Sequence, residues 1–165
     1  VSACSYLIVV ATRDERAMLR EAALELGLSF ERAGKKQGYP HYVIGESSSP
    51  LAIAIRLESM GPFQSGGSMA KTMLYKGLSQ ATSVIGLGFG FGINRQLQKV
   101  GDVLVSDSLF PYDIRHIQED REETSGYRYD YSNTKWFPAK QSLLEGIQRF
   151  AESSKRVLTK NTVFG

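Results

Sequence analysis

A continuous apolar run near the start of the chain limits the folds that are open to it. Residues 6–11 read YLIVVA, without the polar alternation of a strand that has one face in water. Such a run is typical of a strand that is buried on both faces, which requires helices on both sides of the sheet. At 165 residues the chain is long enough for one domain of this kind with a sizeable core.

Helical and strand-like segments alternate along the rest of the chain. Helical periodicity covers residues 14–26, 68–78 and 139–153, and strand-like runs cover residues 41–44, 51–57, 83–87, 102–107 and 156–164. Asp14 is the expected N-cap of the first helix, and Gly27 follows its end. The second helix presents Met69, Met73 and Leu74. This alternation predicts a three-layer α/β fold with a central mixed sheet flanked by helices.

Glycines stand at alternate positions, 86, 88, 90 and 92, where an apolar run ends. Glycine leaves the backbone open to close approach by a ligand or another chain. A G-x-G-x-x-G dinucleotide turn would need glycine at 91, 93 or 95, which hold Phe, Ile and Arg. We therefore predict that residues 88–92, the glycine segment, form a glycine-lined pocket floor. Phe89 and Phe91 either stack on a flat base or pack inward.

Ligands of α/β sheets bind at the carboxyl ends of the parallel strands. Residues 12–16, 59–61 and the glycine segment each follow a predicted strand, so we expect them to surround one crevice. The glycine segment contributes Gly88, Phe89, Gly90, Phe91 and Gly92 to the predicted binding site.

The other two loops carry polar groups. Arg13 and Arg16 are candidates for binding phosphate, and a carboxylate in the same turn suits the orientation of a water. The alternative is a solvated first helical turn, whose acids are favoured by the helix dipole. Before the second helix, Ser59, Met60 and Gly61 either present donors to an anion or a ribose, or form an ordinary connection.

Composition excludes several other classes of function. The net charge of +3 comes with isolated basic pairs and no basic stripe, so nucleic acid is not an expected partner. The single Cys4 excludes a disulfide framework and a cysteine-based metal site, and His41 and His116 are too far apart to suggest a metal pair. Because no run has membrane-spanning length and no secretory signal precedes the first strand, we expect a cytoplasmic protein without a membrane partner.

The order of these features resembles the nucleoside phosphorylase and nucleosidase superfamily, and within it the methylthioadenosine/S-adenosylhomocysteine nucleosidases. Residues 99–107, KVGDVLVSD, are similar to the signature strand of that family. Residues 85–93, IGLGFGFGI, occupy the place of its G-S-A-G-G-L segment, and residues 11–15, ATRDE, are similar to its first acidic turn. Order and spacing agree over nearly the whole chain.

The resemblance implies a phosphorylase/hydrolase-like fold and hydrolysis of the N-glycosidic bond of a purine nucleoside or nucleotide, without a cofactor. Glu15 aligns with the glutamate that positions the attacking water, and residues 89–92 align with the segment that faces the base and the ribose. The resemblance also implies a homo-oligomer. The aspartate that protonates the leaving base would lie beyond residue 165. We therefore expect residues 1–165 to form a single incomplete domain, without its C-terminal part and inactive alone.

Two alternatives to the hydrolase stay open at this point. The first is a phosphate-dependent phosphorylase of the same fold, in which Arg16 and Arg13 hold phosphate. Gly86 stands where phosphorylases would place an arginine, which favours hydrolysis. The second is a nucleotide-sensing or nucleotide-degrading effector module of a larger signalling or defence protein. Phe89 and Phe91 also replace small residues of the family.

Overall fold

The computed structural model describes residues 3–34, 40–57, 65–90, 96, 98–109, 116–119, 127–130 and 136–153. The chain divides into two compact units, Val1–Phe91 and Gly92–Gly165. Among the described residues, the first unit contains a five-stranded sheet with two helices, and the second contains two short strand pairs and one helix.

The sheet of the first unit is mixed, as the sequence predicts. Its elements are β1 (Tyr6–Val10), α1 (Arg13–Glu25), β2 (Phe30–Ala33), β3 (His41–Glu46), β4 (Ser49–Arg56), α2 (Ser65–Ser79) and β5 (Ser83–Leu87). The strand order is β2-β3-β4-β1-β5. β1 is parallel to both β4 and β5, whereas β2, β3 and β4 are antiparallel neighbours. The sequence does not predict β2, because its middle residues Glu31 and Arg32 are charged and exposed.

Two apolar clusters hold the helices on opposite faces of this sheet. Successive side chains of a strand point to opposite faces, so β1 contributes Leu7 to one cluster and Ile8 to the other. The Leu7 cluster includes Tyr75 of α2, and the Ile8 cluster includes Ala23 of α1. The prediction that residues 6–11 lie between two helical layers is therefore confirmed for β1.

The helix boundaries differ in part from the prediction. The N-cap of α1 is Thr12, not Asp14, because the Thr12 hydroxyl accepts a hydrogen bond from the Glu15 amide at 3.1 Å. Gly27 follows the end of α1 with a φ of 73°, the left-handed conformation that glycine adopts most readily. α2 begins at Ser65, three residues before the predicted start at residue 68.

One expectation about residues 92–165 is corrected, and another lies outside the described residues. The predicted strand over residues 102–107 is wrong, because these residues have no regular secondary structure and Val103, Leu104 and Val105 are exposed. A strand requires a neighbour for its backbone hydrogen bonds, which an apolar pattern alone does not supply. The predicted strand over residues 156–164 lies outside the described residues.

The described residues within 108–138 form two short strand pairs. β6 (Ser108–Leu109) pairs with β9 (Phe137–Pro138), and β7 (His116–Glu119) pairs with β8 (Tyr127–Asp130), in both cases antiparallel. α3 (Gln141–Ser153) agrees with the predicted helix over residues 139–153. Within the described parts of the chain, no helix has both the length and the apolar composition needed to cross a bilayer.

Candidate functional site

The carboxyl ends of three parallel strands lie side by side at one edge of the sheet. β1 lies between β4 and β5 and leads into Thr12, while β5 leads into Gly88. The Leu57 amide beyond β4 donates to the Val10 carbonyl at 2.8 Å, which keeps the ends of β4 and β1 together. The structure thus brings the first predicted loop next to the start of the glycine segment.

The Glu15 carboxylate joins these two loops. Its Oε2 accepts hydrogen bonds from the amides of Ala11 at 2.8 Å and Thr12 at 2.7 Å. Its Oε1 accepts a hydrogen bond from the Phe89 amide at 3.0 Å, across 74 residues of sequence. Glu15 is only 7% exposed, although it lies in the first turn of a surface helix. The solvated-turn alternative therefore describes its exposed neighbours Arg13 and Asp14, but not Glu15.

These contacts keep Glu15 ionised. Burial raises the pKa of its carboxyl, but hydrogen bonds from Thr12, Phe89 and Ala11 together lower it more. The pKa of Glu15 therefore lies below its ordinary value of 4.5. Amides at the N-terminus of a helix replace the lost hydration of the charge, which is how a carboxylate can remain buried and charged.

The position of this carboxylate explains why residue 88 is glycine. A Cβ at position 88 would lie 3.0 Å from Glu15 Oε1 and 3.6 Å from its Cδ, which is closer than a carbon and a carboxylate oxygen normally pack. Gly86 and Gly90 differ, because a Cβ at either position would meet no atom within 4 Å. The backbone around Gly90 is therefore open to approach from outside.

Phe89 does not pack inward. Its side chain is 67% exposed, while its amide is held by Glu15. The Phe89 ring is therefore exposed, while Glu15 holds the Phe89 backbone next to its own buried negative charge. The remaining predicted binding residues, Ser59, Met60, Gly61, Phe91 and Gly92, lie outside the described residues.

Arg16 points away from the glycine segment. Its Nη1 donates to the Tyr42 hydroxyl at 2.8 Å, and its guanidinium lies 5.3 Å from the centre of the Tyr42 ring. Tyr42 is on β3, which is three strand spacings from β5 in the sheet order. At about 4.8 Å per spacing, this separates the two strands by roughly 14 Å. A phosphate role for Arg16 or Arg13 stays a prediction, and the structure does not place Arg16 beside Gly88.

His41 is a core residue, as its place in a strand suggests. It is buried, and its Nδ1 lies 3.4 Å from the Tyr75 hydroxyl. Burial raises the pKa of Tyr75. Nearby, Lys71 Nζ donates to the Arg56 carbonyl at 2.8 Å, which ties α2 to the carboxyl end of β4. Among the described residues, no cluster of three or more His, Cys, Asp or Glu side chains could hold a metal ion.

The contact of Glu15 with Thr12 has a sequence signal that our predictions do not include. Thr12 and Glu15 form the T-x-x-E pattern of a capping box, in which each side chain accepts from the other residue's amide. That pattern places the Glu15 carboxylate back toward the end of β1. No sequence signal indicated the contact of Tyr42 with Arg16, because the two residues come together only when the sheet forms.

Comparison of the chain with models of protein families, with curated proteins and with solved structures gives no match. The resemblance to the nucleosidases therefore stays a prediction that depends on the residues quoted above.

A matched pair of glycine substitutions tests the contact between Gly88 and Glu15. We expect Gly88→Ala to lower the free energy of unfolding by about 1–2 kcal/mol, because the added methyl group displaces Glu15 Oε1 and weakens its hydrogen bond with the Phe89 amide. Gly86→Ala should be neutral or slightly stabilising, because its methyl group enters open space. Urea denaturation of both variants measures the difference. Equal stabilities would contradict the contact.

The charge of Glu15 predicts a pH dependence. Because its folded-state pKa lies below 4.5, the ionised carboxylate stabilises the fold above that pH, and this contribution is lost as the pH falls through the folded-state pKa. Near neutral pH, we expect Glu15→Gln to lower the free energy of unfolding by about 2–3 kcal/mol. The side-chain NH2 group of glutamine would face a backbone N–H and could not accept its hydrogen bond. The gap between wild type and variant should shrink in acid.

Denaturant unfolding across this pH range measures that gap. Asp14→Asn is the matched control, since Asp14 is an exposed acid in the same turn and should show a small difference at every pH. A Glu15→Gln difference that stays constant into acid would contradict the assignment.

Proposed function

We propose that this chain carries the water-orienting part of a site that hydrolyses the N-glycosidic bond of a purine nucleoside or nucleotide. The observation that carries the proposal is the buried, ionised Glu15 carboxylate, which accepts a hydrogen bond from the Phe89 amide of the glycine segment. It lies at the sheet edge where α/β folds bind ligands.

Hydrolysis breaks the bond between C1′ of the ribose and the purine nitrogen through a cationic, oxocarbenium-like transition state. Water supplies a hydroxyl to C1′, and the base leaves with a proton. Both acceptor positions of Oε2 are occupied by the amides of Ala11 and Thr12. Oε1 accepts from Phe89 and has a second lone pair, which can accept a hydrogen bond from the attacking water.

The low pKa of Glu15 defines which part of the chemistry it supports. A carboxylate with a lowered pKa is a weak base, so it orients the water and does not remove its proton early. Its negative charge, fixed before the reaction, stabilises the positive charge that develops on the ribose. These two effects suit a transition state in which the base has largely departed before water attacks.

Base recognition is assigned to Phe89 and the open backbone beside it. An exposed aromatic ring supplies a stacking surface for a purine, an interaction worth about 1–3 kcal/mol per base in nucleic-acid complexes. The absence of a side chain at Gly90 lets a flat ligand reach the backbone.

Phosphorolysis is the less favoured reaction for this geometry. A phosphate dianion at the glycine segment would lie close to the buried charge of Glu15, and like charges repel most strongly where water is excluded. The guanidinium of Arg16, one of the two arginines predicted to hold phosphate, is instead bound to Tyr42 on the far side of β1.

Release of free purine by the full-length protein tests the proposal. We expect adenosine or its 5′-monophosphate to yield adenine and a free sugar, at a rate that added phosphate does not increase. Glu15→Gln should lower kcat by about 100-fold or more, a typical effect of losing an oriented catalytic group. Its affinity for adenine should stay within about threefold, because stacking on Phe89 persists.

Asp14→Asn is again the control and should keep wild-type turnover, because its carboxylate is exposed and outside the hydrogen-bond set of Glu15. Both variants are checked for folding by circular dichroism before assay. Unchanged turnover in Glu15→Gln would remove Glu15 from the mechanism. Formation of a sugar phosphate would instead identify a phosphorylase.

A further inference from the structure

Arg56 is the last residue of β4, on the face of the sheet that α1 covers. Its Cα is paired with that of Val10, the last residue of β1. Two residues before it, Ala54 packs in the Ile8 cluster together with Ala23 of α1. Side chains two residues apart on a strand share a face, so Arg56 lies on the α1 face at the carboxyl end of β4. This is the sheet edge that carries the candidate site.

The backbone at Arg56 is fixed, whereas its guanidinium has no partner among the described residues. Lys71 Nζ donates to the Arg56 carbonyl at 2.8 Å, and the amide of the next residue, Leu57, donates to the Val10 carbonyl at 2.8 Å. The Arg56 side chain is half-buried, and no described residue forms a hydrogen bond or an ion pair with its guanidinium. A guanidinium offers five N–H donors in a planar fork, which suits an anionic ligand.

The charges of this edge also favour an anion. Four cations and two acids lie at the carboxyl end of β4 and in the first turns of α1: Arg13, Arg16, Arg56, Lys71, Asp14 and Glu15. The Glu15 carboxylate already accepts hydrogen bonds from three amides. The amides of Arg13 and Asp14, the first two residues of α1, donate to no described acceptor. The positive end of the helix dipole therefore adds to the field of Arg56.

The geometry of a nucleoside relates Arg56 to the proposed substrate. The base leaves from C1′, and the 5′ carbon is attached on the other side of the ribose, at C4′. With the base on Phe89 and C1′ beside Glu15, a ribose lying along the sheet edge directs its 5′ carbon from β5 toward β1 and β4. Since β4 is two strand spacings from β5, their ends are roughly 10 Å apart. A phosphate on the 5′ oxygen is of the size to reach Arg56.

We infer that Arg56 binds the 5′-phosphate of the substrate, which makes a purine nucleoside 5′-monophosphate the preferred substrate over the nucleoside. The guanidinium donates two parallel hydrogen bonds to phosphate oxygens, and its charge offsets the repulsion between phosphate and Glu15. No bond to phosphorus forms or breaks, because the phosphate stays esterified while water attacks C1′. The inference rests on the proposed function for the position of the ribose.

Calorimetric titration of the full-length protein with ribose 5-phosphate tests the phosphate site without any hydrolysis, because this sugar has no base to lose. We expect ribose 5-phosphate to bind at least about tenfold more tightly than ribose. Arg56→Gln should weaken its binding about 10- to 100-fold, the range of a hydrogen bond to a charged group, and should leave ribose binding unchanged. Arg20→Gln is the matched control, since it removes the same charge from an exposed position of α1.

Arg56→Lys keeps the charge and guards against a folding defect in Arg56→Gln. We expect an intermediate loss of ribose 5-phosphate binding, because an ammonium group lacks the bidentate fork. Circular dichroism compares the folding of all three variants with that of the wild type. Wild-type binding of ribose 5-phosphate in both Arg56 variants would overturn the inference, and so would an equal loss in Arg20→Gln.

Rates of adenine release separate this inference from the proposed function. We expect kcat/KM for adenosine 5′-monophosphate to exceed that for adenosine at least about tenfold, and Arg56→Gln to remove this preference without lowering the value for adenosine. Equal values for both substrates in the wild type would overturn the inference and leave hydrolysis intact. Arg56-dependent binding of ribose 5-phosphate without adenine release would support the phosphate site and reject hydrolysis. Adenosine cleavage that requires inorganic phosphate would overturn the inference, since the bound anion would then be the free ion.

Discussion

The hydrogen bonds of the Glu15 carboxylate fix the geometry on which the candidate site depends. One oxygen caps the first turn of α1, and the other holds the Phe89 amide beyond β5. A buried charge is stable only where hydrogen bonds replace its hydration. The charge of Glu15, the position of the Phe89 amide and the glycine at position 88 therefore belong to one hydrogen-bonded arrangement.

The carboxyl ends of the parallel strands and the faces of the sheet have separate roles. Thr12, Glu15 and Gly88 lie together at the carboxyl ends of the parallel strands. Tyr75 and Ser79 pack α2 against one face of the sheet.

The predictions that succeeded depend on local pattern. The run over residues 6–11 gave β1 its two buried faces, and Gly27 marked the end of α1. Predictions that needed long-range pairing succeeded less well. Residues 102–107 have the composition of a strand without a strand neighbour, and β2 forms on β3 despite its charges. The contact of Arg16 with Tyr42 joins α1 to β3 across 26 residues of sequence, which no local pattern encodes.

The central proposal is that the Glu15 carboxylate, the Phe89 ring and the backbone at Gly90 belong to a purine-binding site. A crystal structure of the full-length protein soaked with adenine tests this most directly. The account predicts adenine stacked on the Phe89 ring beside Gly90, with a water hydrogen-bonded to Glu15 Oε1. Adenine bound at another place, or a Glu15 carboxylate turned away from the bound base, would contradict the account.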